Sequence, residues 1–230
     1  MAWINGRFLG YMKKRLRKKL MKRWLRRRRE ALQGHDGAAL VAVSGPLPES
    51  AEIFRSEMEY VIRCIAEYPD IETGGELFGF WKDDRTPVVA YAIGPGPCSN
   101  HQVAFFSQDM DYLTATGGVL TGKYGLEHIG EWHSHHRLGL PHPSGHDAAT
   151  MAHGIRAAGR NSLLLCIGTC NDRAASLGGF VFSRNNGESY HHVGWRVIGV
   201  DSPFRTAVDA DPELAGTLVH PRKFEEARHG

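Results

Sequence analysis

The sequence has 230 residues, of which 42% are apolar, so the chain is long enough for one packed domain and too apolar to be disordered. It contains no apolar run of roughly 18 residues, which excludes a conventional membrane-spanning helix. The four cysteines are too sparse for a disulfide scaffold and include no Cys-x-x-Cys pair, so a reducing, cytoplasmic location is expected.

The net charge of +3 conceals a strong asymmetry along the chain. Residues 1–30 contain 13 of the 28 Lys and Arg residues but one acidic residue, Glu30, which gives this segment a charge of +12. Its apolar residues recur every three or four positions, at Phe8, Leu9, Met12, Leu16, Leu20 and Trp24. This spacing predicts a basic amphipathic helix within an arm of residues 1–34. Residues 1–32 are suited to an anionic membrane surface, which would make the protein peripheral to it, or to nucleic acid; a solvated arm that touches an acidic partner is the alternative.

Strands and helices alternate in the predicted globular domain, residues 35–205. Apolar runs predict strands at residues 39–43, 88–93, 103–106, 126–133 and 162–167, and a hairpin at 180–193 that turns at Asn186-Gly187. Helical spacing predicts helices at 56–69, 109–122 and 144–158, the first capped by Ser56 and Glu59 and the second interrupted by two glycines. Residues 206–230 are polar and weakly patterned, which predicts a C-terminal tail.

Two histidines mark the candidate metal site. His133 and His135 are two residues apart at the end of a predicted strand, so the alternation of strand side chains points both imidazoles to one face. Ser144 is a predicted helix cap that places Asp147 in the first turn, near the two rings. Two imidazoles and one carboxylate are a typical set of three protein ligands for catalytic zinc, with a fourth position left for water.

Glu72 is the candidate acid or base. It precedes paired glycines and an apolar strand, where backbones approach closely. An isolated glutamate is usually a surface carboxylate, and the downstream histidine pair is what favours a catalytic role here. The further histidines His136, His142 and His146 are expected to face solvent or substrate. A structural role for the pair, as satisfied polar side chains in a loop, remains the alternative.

These residues resemble the JAMM motif of the MPN+/JAB-domain metalloproteases. The matching elements are His133-Ser-His135, then Ser144-x-x-Asp147, with Glu72 upstream in Glu-Thr-Gly-Gly-x-Leu-x-Gly. The resemblance implies a single α/β domain with a mixed, curved β-sheet flanked by helices, the MPN/JAB fold, which is cytidine-deaminase-like. It also implies that the two histidines and Asp147 bind one zinc ion per chain, that Glu72 holds and deprotonates the zinc water, and that Ser144 supports the oxyanion.

The chain departs from the family pattern in one loop. Eight residues separate His135 from Ser144, where the family usually has seven, and His136 replaces a common proline. A one-residue extension can be absorbed without moving either anchor, so we expect a changed loop and an intact metal site.

The predicted function is that of a zinc metallo-isopeptidase or peptidase. It would cleave a ubiquitin-like protein from an amine-linked target or process its C-terminus, as the resemblance implies. The Glu-Trp-His-Ser-His wording is similar to bacterial JAB proteins encoded beside ubiquitin-like conjugation genes in antiphage operons, so E1-like and E2-like operon proteins are candidate partners. Two alternatives stay open: a non-catalytic scaffold or binding module whose basic arm docks on membrane, nucleic acid or an acidic partner, and a zinc hydrolase of small peptides.

Overall fold

The computed structural model describes residues 50–82, 86–172, 174–184 and 189–214. The predicted basic helix, the strand at 39–43 and the turn at Asn186-Gly187 lie outside these residues. The described part contains nine strands and four α-helices. The strands are β1 Ser50–Phe54, β2 Gly74–Trp81, β3 Pro87–Ala92, β4 Asn100–Gln102, β5 Phe105–Ser107, β6 Glu127–Ser134, β7 Ser162–Cys170, β8 Ala175–Ser183 and β9 Tyr190–Ile198. The helices are α1 Arg55–Glu67, α2 Met110–Gly122, α3 Gly145–Ala157 and α4 Pro203–Asp209.

The capping residues of the helices agree with the sequence in one case and differ in another. Helix α3 has the predicted capping box, in which the Ser144 hydroxyl and the Asp147 carboxylate each accept a backbone N–H of the other. Helix α1 lacks the predicted box: its N-cap is Phe54, and the Ser56 hydroxyl donates to Glu57 instead. Helix α2 runs through Gly117 and Gly118 without interruption.

Seven strands form one closed barrel in the order β1-β3-β2-β6-β7-β8-β9. The predicted α/β fold, a mixed, curved sheet flanked by helices in the MPN/JAB and cytidine-deaminase-like arrangement, is therefore wrong. Strand β1 is what closes the sheet, since it pairs in parallel with both β3 and β9.

Strand β1 was not predicted from the sequence because a glutamate lies at the centre of the strand. Glu52 is wholly buried and paired with Lys82 at 2.5 Å and Arg196 at 2.8 Å, whereas sequence reasoning assigns a glutamate to the surface. The strand is also only five residues long and leads directly into α1.

The barrel is packed on both faces. Helix α1 packs against β3, β7, β8 and β9, so that the sheet curls around it. Strand β7 alternates accordingly: Leu164 and Cys166 belong to the core that includes α1, and Leu163 and Leu165 face α3.

A short helix that the sequence did not predict covers part of the barrel. Phe204 and Val208 of α4 are buried against Tyr91, and the Arg205 guanidinium lies 4.0 Å from the centre of the same ring. The side chain of Arg205 also pairs with the buried Glu57 of α1. None of the described helices is long and apolar enough to cross a membrane.

Candidate metal centre and active site

Strand β6 brings the two histidines of the predicted motif together. His133 lies opposite Gly74 of β2 and Ile167 of β7, in the middle of the barrel wall. His135 follows the strand, and its backbone N–H donates to Gly168 at 2.7 Å. The two Nε2 atoms lie 3.2 Å apart, so both rings point at one position.

Asp147 completes this group from the first turn of α3. Its Oδ1 lies 3.4 Å from His133 Nε2, and its Oδ2 lies 3.5 Å from His135 Nε2. The Ser144 backbone N–H donates to Asp147 Oδ2 at 2.6 Å, which fixes the carboxylate in the capping box. Among the described residues, these are the His, Cys, Asp or Glu side chains whose ligand atoms converge in a group of three or more.

The spacing of the three side chains suits a metal ion. The two Nε2 atoms lie 3.2 Å apart, close to the roughly 3.3 Å that bonds of about 2.0–2.1 Å at tetrahedral angles require. The Asp147 carboxylate presents one oxygen 3.4 Å from His133 and the other 3.5 Å from His135. The other nitrogen of His135, Nδ1, donates to the Leu140 carbonyl at 2.8 Å, which leaves a lone pair on Nε2 in the neutral ring. The two nitrogens and the carboxylate could together hold a metal ion.

Without a metal ion, the electrostatics of the group keep Asp147 charged and favour a proton on His135, which a bound metal would displace. Partial burial alone would raise the pKa of Asp147, but the hydrogen bonds of His133 and His135 hold it well below its usual range. Burial likewise opposes the charging of His135, and the hydrogen bond to Asp147 outweighs it and raises the pKa of the imidazole. Asp147 therefore stays an anionic ligand at neutral pH.

Glu72 and Ser144 line the same pocket as the three residues, a cavity of about 450 Å³. Burial raises the pKa of Glu72, while the nearby His133 and His135 act in the opposite direction. The Ser144 Oγ accepts the Asp147 backbone N–H at 3.2 Å, so its own hydrogen is available to the pocket. All five side chains of the sequence motif thus lie around one cavity.

The loop between His135 and Ser144 contains the residue that departs from the family pattern. His136 begins a short 3₁₀ turn, His136–Leu138, with φ of 34°, a conformation that non-glycine residues rarely adopt. The expectation that it faces solvent or substrate is wrong, because His136 is buried and its Nε2 donates to the Val103 carbonyl at 2.8 Å. His142 and His146 are exposed, as expected, and His146 lines the pocket.

Sequence reasoning missed two carboxylates in the pocket wall. Glu76 of β2 and Glu131 of β6 lie opposite each other across the strands. Burial and the Glu76 charge raise the pKa of Glu131 to about 7, while Glu76 Oε2 lies 2.5 Å from His128 Nε2. Glu76 could have been found from the alternation of side chains along β2, which puts it on the same face as Gly74, close to His133.

Apolar side chains surround the mouth of the pocket. Phe105, Leu138 and Leu140 line the cavity and are 46%, 53% and 58% exposed. Val103, in the turn next to Phe105, is 58% exposed. We call these four residues the apolar rim; exposed apolar residues grouped around a cavity are typical of a binding surface.

Comparisons with known proteins give a distant relative and a structural likeness. No family model matches the chain. The chain is 26% identical over 138 residues to the probable metalloprotease y4qB of Sinorhizobium fredii (strain NBRC 101917 / NGR234), a match that covers 54% of this chain and 80% of that protein. The solution structure of protein DSY2949 from Desulfitobacterium hafniense aligns with a TM-score of 0.48 and 19% identity, over 66% of this chain and 94% of that one.

Proposed function

We propose that this chain is a zinc-dependent peptidase or isopeptidase of the JAMM type, which hydrolyses the amide bond after the C-terminus of a ubiquitin-like protein. The observation that carries the proposal is the convergence of His133, His135 and Asp147 in a cavity that also contains Glu72 and Ser144. The similarity to a protein named a probable metalloprotease supports the same class of reaction.

The two histidines and Asp147 would hold the metal ion. When bound, a zinc ion supplies a Lewis acid that polarises the scissile carbonyl and lowers the pKa of a coordinated water to about 7. The rigid placement of the ligands, two at the end of a central strand and one in a capped helix turn, keeps this position fixed relative to the substrate.

Glu72 would take a proton from the attacking water and give it to the leaving amine. Its pKa is raised by burial, which makes the carboxylate a stronger base than one in water. It lies close enough to the three ligands for their charges to act on its titration. One residue thus serves as the base and then as the acid.

Ser144 would stabilise the oxyanion that develops on the scissile carbonyl. The hydroxyl hydrogen is free to donate, because the helix cap uses the Ser144 oxygen only as an acceptor. The amino end of α3 lies at the same point and adds the positive end of the helix dipole.

The apolar rim favours a folded protein as substrate over a free small peptide. A cavity of about 450 Å³ accepts a few residues of extended chain, and the rim side chains, three of which line it, are exposed enough to contact a larger partner as well. We further propose that the substrate is a bacterial ubiquitin-like modifier of antiviral defence in the cytoplasm, with E1-like and E2-like partners. Residues 1–32 would add contact with an anionic membrane or nucleic acid.

Substitution of Glu72 tests the proposal. Glu72→Gln keeps the shape of the side chain but cannot accept a proton, so kcat for a ubiquitin-like fusion should fall by about 10²- to 10⁴-fold with metal content unchanged. The matched control is Glu59→Gln, an exposed glutamate on α1 that should retain parental activity. Glu76 is unsuitable as a control because it lines the same cavity. If Glu72→Gln turned over the fusion at the parental rate with metal bound, Glu72 would not be the base.

A further inference from the structure

The β4–β5 hairpin holds the backbone of Glu72 from both sides of the residue. The Glu72 N–H donates to the Gln102 carbonyl at 2.8 Å. The Glu72 carbonyl accepts a hydrogen bond from the ring Nδ1 of the adjacent His101 at 2.9 Å. Two neighbouring residues of β4 therefore fix both polar groups of the Glu72 backbone.

The His101 ring is itself fixed in position. A carbonyl only accepts, so Nδ1 carries the hydrogen, and the second nitrogen, Nε2, lies 2.8 Å from the Ser99 hydroxyl. The ring stacks on Tyr68 with 4.6 Å between centroids and 3° between planes, and Phe106 lies 5.4 Å from its centroid. Stacking sets the plane of the ring, and the Ser99 contact sets its rotation within that plane.

The hairpin is anchored to the metal-ligand side of the pocket as well. His136, directly after the ligand His135, donates to the Val103 carbonyl in the hairpin turn. The Phe106 ring covers Gly74 so closely that a Cβ there would lie 2.6 Å from Phe106 Cε1. The hairpin thus connects the Glu72 segment to the strand and loop that present the histidines.

The position of the Glu72 carboxylate depends on these hydrogen bonds to the Glu72 backbone. Within the described residues no group hydrogen-bonds the carboxylate, in contrast to Asp147, which is fixed by Ser144 and the two histidines. The backbone of residue 72 therefore fixes where the side chain starts, and so the region of the pocket that the carboxylate can reach. A displacement of about 1 Å at a reacting group can cost about 10²-fold in rate.

We propose that His101 is a positioning residue for Glu72, which keeps the backbone of residue 72 at the edge of the metal pocket, within reach of its carboxylate, through the hydrogen bond from Nδ1 to the Glu72 carbonyl. The catalytic consequence rests on the proposed function, in which Glu72 is the base. The hydrogen bond between His101 and the Glu72 backbone does not depend on that function. His101 is not part of the sequence motif and lies 29 residues after Glu72.

Two substitutions of His101 separate the hydrogen bond from the ring. His101→Phe keeps an aromatic ring on Tyr68 but has no donor, whereas His101→Asn places an amide N–H near the position of Nδ1. With a ubiquitin-like fusion as substrate, His101→Phe should lower kcat by about ten- to a hundredfold with KM and metal content unchanged, and His101→Asn should recover most of the loss. Should the Phe variant not fold, His101→Ala replaces it in the same comparison with His101→Asn.

Hydrogen exchange gives a readout that does not require activity. The Glu72 amide should exchange faster in His101→Phe than in the parent and in His101→Asn, because the segment it belongs to is less firmly held. A distant amide of similar protection, in β7, should be unchanged. Equal exchange of the Glu72 amide in all three proteins would overturn the proposal.

A double-mutant cycle tests the route of the effect. In a Glu72→Gln background, His101→Phe should cause no further loss of kcat, because the base that it positions is already absent. An equal loss in both backgrounds would show that His101 acts on the fold and not through Glu72. If Glu72→Gln alone cost nothing, the proposed base would fail, while the exchange comparison would still decide whether His101 holds residue 72.

Discussion

The pocket has two sides, which we name after their proposed roles as the ligand side and the base side, and they are built in different ways. On the ligand side, His133 and His135 come from a strand that pairs with β2 and β7, and Asp147 comes from a capped helix. On the base side, Glu72 lies between α1 and β2 and is held by a hairpin of two three-residue strands. The hairpin residues Gln102, Val103 and Phe105 are exposed.

Because of this difference, we expect substitutions on the two sides to have different effects. The ligand positions are fixed several times over, by strand pairing, by a helix cap and by the Leu140 carbonyl on His135. The Glu72 backbone itself is held by two hydrogen bonds from the exposed hairpin, and the next residue, Thr73, is bonded to Ser134 of β6. Loss of a ligand-side contact should therefore affect metal binding, and loss of a base-side contact should affect the rate with metal still bound.

The largest expected effect is on the ligand side. His133→Ala and Asp147→Ala each remove one of three protein ligands, so metal content should fall from about one ion per chain to nearly none and hydrolysis should become undetectable. Metal analysis of the purified variants measures this. The matched control is His153→Ala, an exposed histidine further along α3 that should keep the parental metal content. Parental metal content in both ligand variants would refute the ligand assignment.

A smaller effect is expected where the two sides meet, at Ser144. Glycine is nearly as good a helix cap as serine and costs only a few tenths of a kcal/mol. Ser144→Gly should therefore leave the melting temperature almost unchanged, while loss of an oxyanion donor should lower kcat by about 10²- to 10³-fold. Steady-state kinetics and thermal unfolding on the same sample separate the two roles. A loss of less than tenfold in kcat would leave Ser144 with the capping role alone.

The smallest effect is expected at the apolar rim. Leu138→Ser combined with Leu140→Ser removes two exposed apolar contacts, and we expect KM for a ubiquitin-like fusion to rise about tenfold with kcat unchanged. A short peptide substrate that does not reach the rim should be unaffected. Val197→Ser, at an exposed valine of β9, is the control. Equal changes in KM for both substrates would indicate a small-peptide hydrolase.

The convergence of His133, His135 and Asp147 was predictable from the sequence because its signals are local. Strand alternation puts His133 and His135 on one face, and the Ser144 cap places Asp147 in the first helical turn, all within 15 residues. Their convergence in the structure needed one further fact, that α3 begins next to the end of β6.

Glu72 was a candidate from the sequence, but the hairpin contacts that hold it and the closed barrel were not predictable, because both depend on distant contacts. His101 and His136 gave no periodic signal, and their roles follow from hydrogen bonds to residues 29 and 33 positions away. The closed barrel was not predicted because the buried Glu52 made β1 hard to recognise as a strand. The charge of Glu52 is compensated by Arg196, 144 residues later. Local pattern reasoning has no access to such pairs.

The pairing of β1 with β9 also has a consequence for synthesis of the chain. Strand β1 cannot pair with β9 until residues 190–198 have left the ribosome. Contacts of such high sequence separation form slowly. Until then, β1 and later β8 expose unpaired backbone groups that another nascent chain can pair with. The closure that removes free edges from the seven-stranded sheet thus leaves the nascent chain with open strand edges until β9 is available.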